Sequence, residues 1–315
     1  MAIKISNNTV IPNISGDTTC QNLAVGVNAL AANTSGCYNT AIGYKALCAN
    51  TSGACNIALG ANSLIANTIG TSNVGLGISA LLNNTTGCNN IAIGLNVLYC
   101  NQTGSNNIAI GLCALYINTA SNNIAFGACT LYRTTTGFGN VAVGTCALSS
   151  NTLGYGNVAI GMGALSSNTI GYHNVSFGCG SGGLGNYNFS SGRFALSNGT
   201  GNSLHNTAIG YGALQNADSG CNIAIGCGAL KANTQGGNNI ALGSQALTAN
   251  TIGSNNIAMG QVALCVNTTG SDNIALGYSA LNANTTGVNN IAIGCKALCC
   301  NIFGQDNVAL GGSAL

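Results

Sequence analysis

Asn107-Ile108-Ala109-Ile110-Gly111-Leu112-Cys113-Ala114-Leu115-Tyr116-Ile117-Asn118-Thr119 is one copy of a unit that fills almost the whole chain. Its first asparagine returns at the same phase 18 times: Asn22, Asn39, Asn56, Asn73, Asn90, Asn107, Asn123, Asn140, Asn157, Asn174, Asn188, Asn206, Asn222, Asn239, Asn256, Asn273, Asn290 and Asn307. A glycine follows each of them four residues later, and a leucine follows that glycine by four in 17 of the 18 copies. An Asn-Thr pair, as in Asn33-Thr34 or Asn250-Thr251, closes most units. The usual interval is 17 residues. It drops to 16 in the copies ending at Gly127 and Gly226, and a 14/18 pair surrounds Gly178, Gly192 and Gly210. Self-similarity at a fixed period decides the architecture before any local motif is read.

Seventeen residues are too few for two helices and a turn. Ile-Ala-Ile alternates large and small with period two, and glycine-bearing corners interrupt the run. The unit therefore reads as short strand, turn, second extended piece around Ala-Leu, and turn. Stacking such units gives an all-β solenoid, a parallel roll of about 18 coils. At the usual strand spacing that is a rod of about 85 Å. Its domain organisation is a short N-terminal cap or attachment segment, 1–19, followed by the repeat rod 20–315 with an irregular region at 172–206.

The alternation leaves two faces to assign. The large strand residues, such as Ile108 and Ile110, are expected to fill a buried column. The central residue is then expected to face outward, and it is alanine in 15 of 18 copies, with Gly75, Ser176 and Ser190 the exceptions. A small apolar stripe along a whole rod predicts close packing against further copies, most simply a homotrimer. The recurrent asparagines are expected to be internal rungs, because a buried amide carries both donor and acceptor and can bond up and down a stack.

Composition narrows the function classes. The chain has 315 residues but only six Lys or Arg and four Asp or Glu, so no basic patch exists to neutralise phosphates, and nucleic-acid binding is disfavoured. Apolar residues come one stripe per coil, and no run approaches the roughly 18 residues of a membrane span. Residues 1–19 have no basic stretch followed by an apolar core, so no signal peptide is read, and synthesis in the cytoplasm is expected. The sixteen cysteines occupy variable phases with no C-x-x-C and only two histidines, which points to small apolar fillers instead of zinc sites. Same-phase cysteines such as Cys113, Cys129 and Cys146 are placed to cross-link in an oxidising medium.

Chemistry-bearing constellations are scarce. Asp17, Asp218, Asp272 and Asp306 are scattered, which provides neither paired carboxylates for acid–base work nor a calcium site. Glycine-rich matches to phosphate loops lack a strand–loop–helix context. No enzyme, cofactor or metal is expected. A threonine column (Thr34, Thr51, Thr68 and equivalents) has the regularity of an ice-binding face, but Asn-Thr satisfying a corner's backbone accounts for it more simply. The pattern loosens only at 172–206. That stretch holds Tyr172, His173, Phe177, Tyr187, Phe189, Arg193, Phe194 and His205, a candidate ligand-contact region whose alternative is a bulky filling of a register change.

Asn106–Gly111, Asn89–Gly94 and Asn289–Gly294 resemble the N-S-V-A-I-G repeats of YadA-like trimeric adhesin heads, here in a 17-residue variant covering about 20–315. The resemblance implies a left-handed parallel β-roll, three chains to a needle, and binding of a host surface receptor. The adhesins' shorter repeat, stalk and anchor are not matched. The opening Met1–Ile11 is similar to N-terminal segments of fibre proteins of tailed phages. Together these imply a structural fibre of a virion or surface appendage, attached to a base protein through residues 1–19. A self-assembling extracellular filament built by head-to-tail stacking, or an adhesin head, is the alternative.

Overall fold

A computed structural model describes residues 4–5, 8–9 and 20–315 of the chain. Lys4–Ile5 pairs antiparallel with Asn8–Thr9; the rest of the expected attachment segment 1–19 lies outside the described residues. The chain divides into two units, Met1–Asn157 and Val158–Leu315. Both are β-solenoids. Among the described residues the first contains eight three-residue parallel strands, from Leu23–Val25 to Val141–Val143, and the second contains ten, from Val158–Ile160 to Val308–Leu310. Within a unit, strands adjacent in sequence are adjacent in space and in strict register, as in Ile91↔Ile108, Ala92↔Ala109 and Ile93↔Ile110. Among the described residues there is no helix, and so none long and apolar enough to cross a membrane.

The strands stop after three residues because the following glycine turns the chain in a way other residues resist. Gly60 has φ +135°, and a Cβ placed on it would lie 2.5 Å from the carbonyl oxygen of Gly77 in the next coil. Conformation and close backbone stacking each demand glycine there. The corners beyond use left-handed residues, for instance Asn106 (φ 59°), Cys113 (φ 53°) and Leu115 (φ 51°). Leucine is a poor choice for that conformation, at a cost of about 1–2 kcal/mol. Full burial of its side chain returns about 1.5–3 kcal/mol, and Leu115, like Leu47 and Leu247, has no solvent exposure. Burial wins, which is why leucine recurs at a corner.

The two strand faces are the reverse of the sequence expectation. The central alanines, Ala58 and Ala109 among them, are completely buried, whereas the flanking Ile57 and Leu59 remain 40% and 38% exposed. The interior is narrow and already filled by the leucine column, the residue, usually alanine, that precedes each leucine, and two columns of asparagine. Only a methyl or a hydroxymethyl fits at the strand centre. Where the centre is Gly75, the alanine position before Leu64 becomes Ser63, whose hydroxyl fills the space and donates to the Gly75 carbonyl at 2.9 Å. Where the centre is Ser176, Ser181 takes the matching place in its own coil, 2.6 Å away. The outer stripe is therefore made mainly of Ile, Leu, Val, Phe and Met, interrupted by Thr40, Ser191 and Thr207, and not of alanine.

Candidate functional site

The 18 recurrent asparagines line the interior at the start of each strand. Oδ1 of Asn39 accepts the backbone N–H of Asn56 at 2.9 Å, and Nδ2 of Asn39 donates to the Gly53 carbonyl at 2.8 Å. The same pair of bonds recurs along both units, as at Asn256, whose Oδ1 receives the Asn273 N–H and whose Nδ2 reaches the Gly270 carbonyl. A second column comes from the Asn-Thr corners: Nδ2 of Asn50 bridges Oδ1 of Asn33 (2.7 Å) and the carbonyl of Gly53 (2.9 Å). Two amide columns thus converge on one row of glycine carbonyls. Their polar groups face each other and the backbone, so their role is to fix register. The threonine hydroxyls are engaged too: Thr51 and Thr68 each donate to the carbonyl of the threonine one coil further on, at 3.1 Å. They are corner ties, not a free array for ice.

The irregular region distributes its eight candidate residues over three places. His173, Tyr187 and His205 occupy the corner just before three successive strands and form a stacked, solvent-facing column, with ring centroids 5.4 and 5.0 Å apart. Tyr172 meets His173 and Tyr187 edge-on at 5.7 and 5.3 Å. Phe177 and Phe189 belong to two paired strands and touch edge-to-face at 6.1 Å on the outer strand face. Arg193 lies 4.7 Å over the ring of Phe194 beyond the next glycine corner, and Phe194 contacts Tyr211. Four of the eight residues come together, and the others form two separate pairs. A depression of about 170 Å³ beside Tyr172, floored by Gly171, Gly185 and Gly201, marks where the short coil omits its Asn-Thr corner.

A second aromatic column stands out only once coils are aligned. Tyr99, Tyr116 and Tyr132 fall one residue after the buried leucine in three consecutive coils and stack at 5.0 and 5.2 Å, nearly parallel. Burial pushes the Tyr116 hydroxyl pKa up, with further contributions from the neighbouring thiols and tyrosines. Cys113, also on this side of the coil, is pushed up by burial and then by Cys129, its equivalent one coil on. Cys20 and Cys37, equivalent residues of adjacent coils with Cα atoms 4.9 Å apart, form a disulfide. Among the described residues no three His, Cys, Asp or Glu side chains are grouped to hold a metal ion.

Neither a scan against protein-family models nor a search of curated proteins finds a match to this chain.

Proposed function

We propose that this protein is a structural fibre protein, a multi-chain β-solenoid segment of a virion fibre or comparable surface appendage that displays and attaches rather than catalyses. The observation that carries this reading is the exposed strand face. Ile223 and Ile225 are 38% and 39% exposed, and most coils offer an equivalent apolar pair beside a surface with almost no charge. An apolar stripe repeated coil after coil exceeds the scattered hydrophobics of a monomer's surface and calls for a partner. Other copies of the chain supply one, because a strictly periodic stripe matches another stripe of the same period. The resemblance to trimeric adhesin heads makes three copies the arrangement to test. In this reading residues 1–19 join a base protein, the outer surface meets a host receptor, and the assembled fibre stands outside the cell or on a particle.

Sedimentation and negative-stain imaging of the purified chain test the proposal together. Rods of three-chain mass are expected, and Ile57→Glu with Leu59→Glu should shift the mass towards monomer by charging the stripe. A stable monomer without elongation would sink the reading. Long axial polymers would replace it with a self-assembling filament.

A further inference from the structure

The tyrosine column ends abruptly, and its end is built like a binding site. Tyr99, Tyr116 and Tyr132 take successive places in one column, and the place after Tyr132 belongs to Ser149. Backbone bonds show that the column continues without a shift: Cys100 N–H to Tyr116 O, Ile117 N–H to Tyr132 O, and Arg133 N–H to Ser149 O are the same bond in three coils. One face of the Tyr132 ring is covered by Tyr116. The other looks over a side chain that ends at a hydroxyl. A shallow depression of about 460 Å³ lies there, lined by Cys129, Tyr132, Arg133, Ser149 and Ser150.

Its electrostatics are one-sided. Arg133 is exposed, and residues 20–157 contain no Asp or Glu at all, so its guanidinium has no carboxylate within the described part of its own unit. An unpaired guanidinium beside an aromatic face is suited to a flat ligand with a carboxylate, which arginine binds through two parallel N–H donors. The two serine hydroxyls of the floor can each donate and accept. One arginine is too little for nucleic acid, whose binding rests on many phosphate contacts.

We propose that this step binds an acidic saccharide, with one carboxylate-bearing pyranose stacked on Tyr132 as the next ring of the column. The polarised C–H face of the sugar lies on the electron-rich ring face, its carboxylate meets Arg133, and its hydroxyls meet Ser149 and Ser150. The site is a specific attachment point that the fibre reading does not require, so either proposal can fail without the other.

Calorimetry or saturation-transfer NMR with a glucuronic acid oligosaccharide, against a glucose oligosaccharide of equal length, provides the test. The acidic sugar is expected to bind at least tenfold more tightly than the neutral one, and Arg133→Gln to abolish that preference. Ser149→Tyr is the sharper variant. It continues a column that already holds three tyrosines, so thermal unfolding should be unchanged while binding disappears. Equal affinity for the two sugars, binding that survives Ser149→Tyr, or no binding by the wild-type chain would each overturn the proposal. Binding of benzoate but not of the acidic sugar would overturn the saccharide assignment.

Discussion

The regular coils around Asn239–Asn290 and the irregular stretch 172–206 keep different parts of the same unit. In the regular coils both asparagine columns are continuous. In the irregular stretch the first column persists: Asn188 N–H still bonds Oδ1 of Asn174, and Asn206 N–H bonds Oδ1 of Asn188, both at 3.0 Å. Strand register persists with it, Val175 pairing with Phe189 and Phe189 with Thr207. The second column does not. Gly199 and Ala217 occupy its places, and the Ser219 hydroxyl substitutes in part, donating to Gly236 O and receiving the amides of Asn222 and Asn233. The strand, its glycine and its first asparagine are therefore the invariant frame, and the Asn-Thr corner is the part that can change length.

Glycine substitutions should separate frame from corner most strongly. Gly60→Ala combines a positive-φ strain of about 1–3 kcal/mol with overpacking of similar size, so local stability around its coil should fall by about 2–6 kcal/mol. Gly201→Ala, at the irregular corner, adds a methyl with no atom within 4 Å and should be nearly neutral. Hydrogen exchange of the flanking strand amides is the suitable measurement, because a repeat array loosens locally before it melts as a whole. A large effect at Gly201 would mean that the corner is as constrained as the frame.

The two asparagine columns offer the next comparison. Asn256→Ala leaves the Asn273 backbone N–H in the interior without its acceptor, at about 1–3 kcal/mol, while the Gly270 carbonyl keeps the Asn267 amide as a donor. Asn250→Ala also removes bonds to Asn233, Gly253 and Asn267, but two of those partners are side-chain amides that can reorient. The first change should destabilise more than the second by at least about 1 kcal/mol. Equal losses in denaturation of the two variants would refute the distinction between frame and corner.

Much of this was legible in the amino-acid order. The spacing of Asn22, Asn39 and Asn56, with glycine four residues on, required short strands and stacked coils. Which strand face points inward was not legible, because Ile-Ala-Ile alternates equally well either way. The answer depends on how wide the interior is once Leu64 and two amide columns occupy it. A usable signal was nevertheless present. The central position varies only among Ala, Gly and Ser, whereas its flanks range from Thr40 to Phe126, and tight volume limits mark the inside. The Tyr99, Tyr116 and Tyr132 column was hidden for a different reason: an interval of 16 follows one of 17, so the rings align only when counted from each coil's own asparagine. The clustering of aromatics at 172–206 was visible, but its separation into three places follows from which corner or strand each residue occupies.

Thr134 tests the comparison from the opposite direction. It replaces asparagine in the second column of an otherwise regular coil, and its buried hydroxyl oxygen has no hydrogen-bond partner. The coil has the full 17 residues, so an amide there would meet the Gly137 carbonyl as its equivalents meet theirs. Thr134→Asn is expected to stabilise by about 1 kcal/mol, read as a higher denaturation midpoint. No gain would show that the second column contributes little even where it is complete.

The smallest effect is expected at a corner. Val262 has φ 52°, a conformation in which a β-branched side chain is a clear outlier. In the neighbourhood of the irregular stretch the same corner is held by Gly180, Gly212 and Gly228 at φ of 60°, 59° and 66°. Regular coils elsewhere use Asn28, Asn62 and Asn96. Val262 is partly exposed and borders no ligand-contact candidate, so changing it alters backbone preference with little loss of packing. Val262→Asn should therefore raise stability by about 0.5–1 kcal/mol, whereas Asn62→Val should lower it by a similar amount in a coil of the same length. Because the two changes are mirror images at equivalent corners, opposite signs would establish the corner as an independent local contribution. The same sign in both would mean that the neighbouring coils, not the residue's own backbone preference, set its conformation.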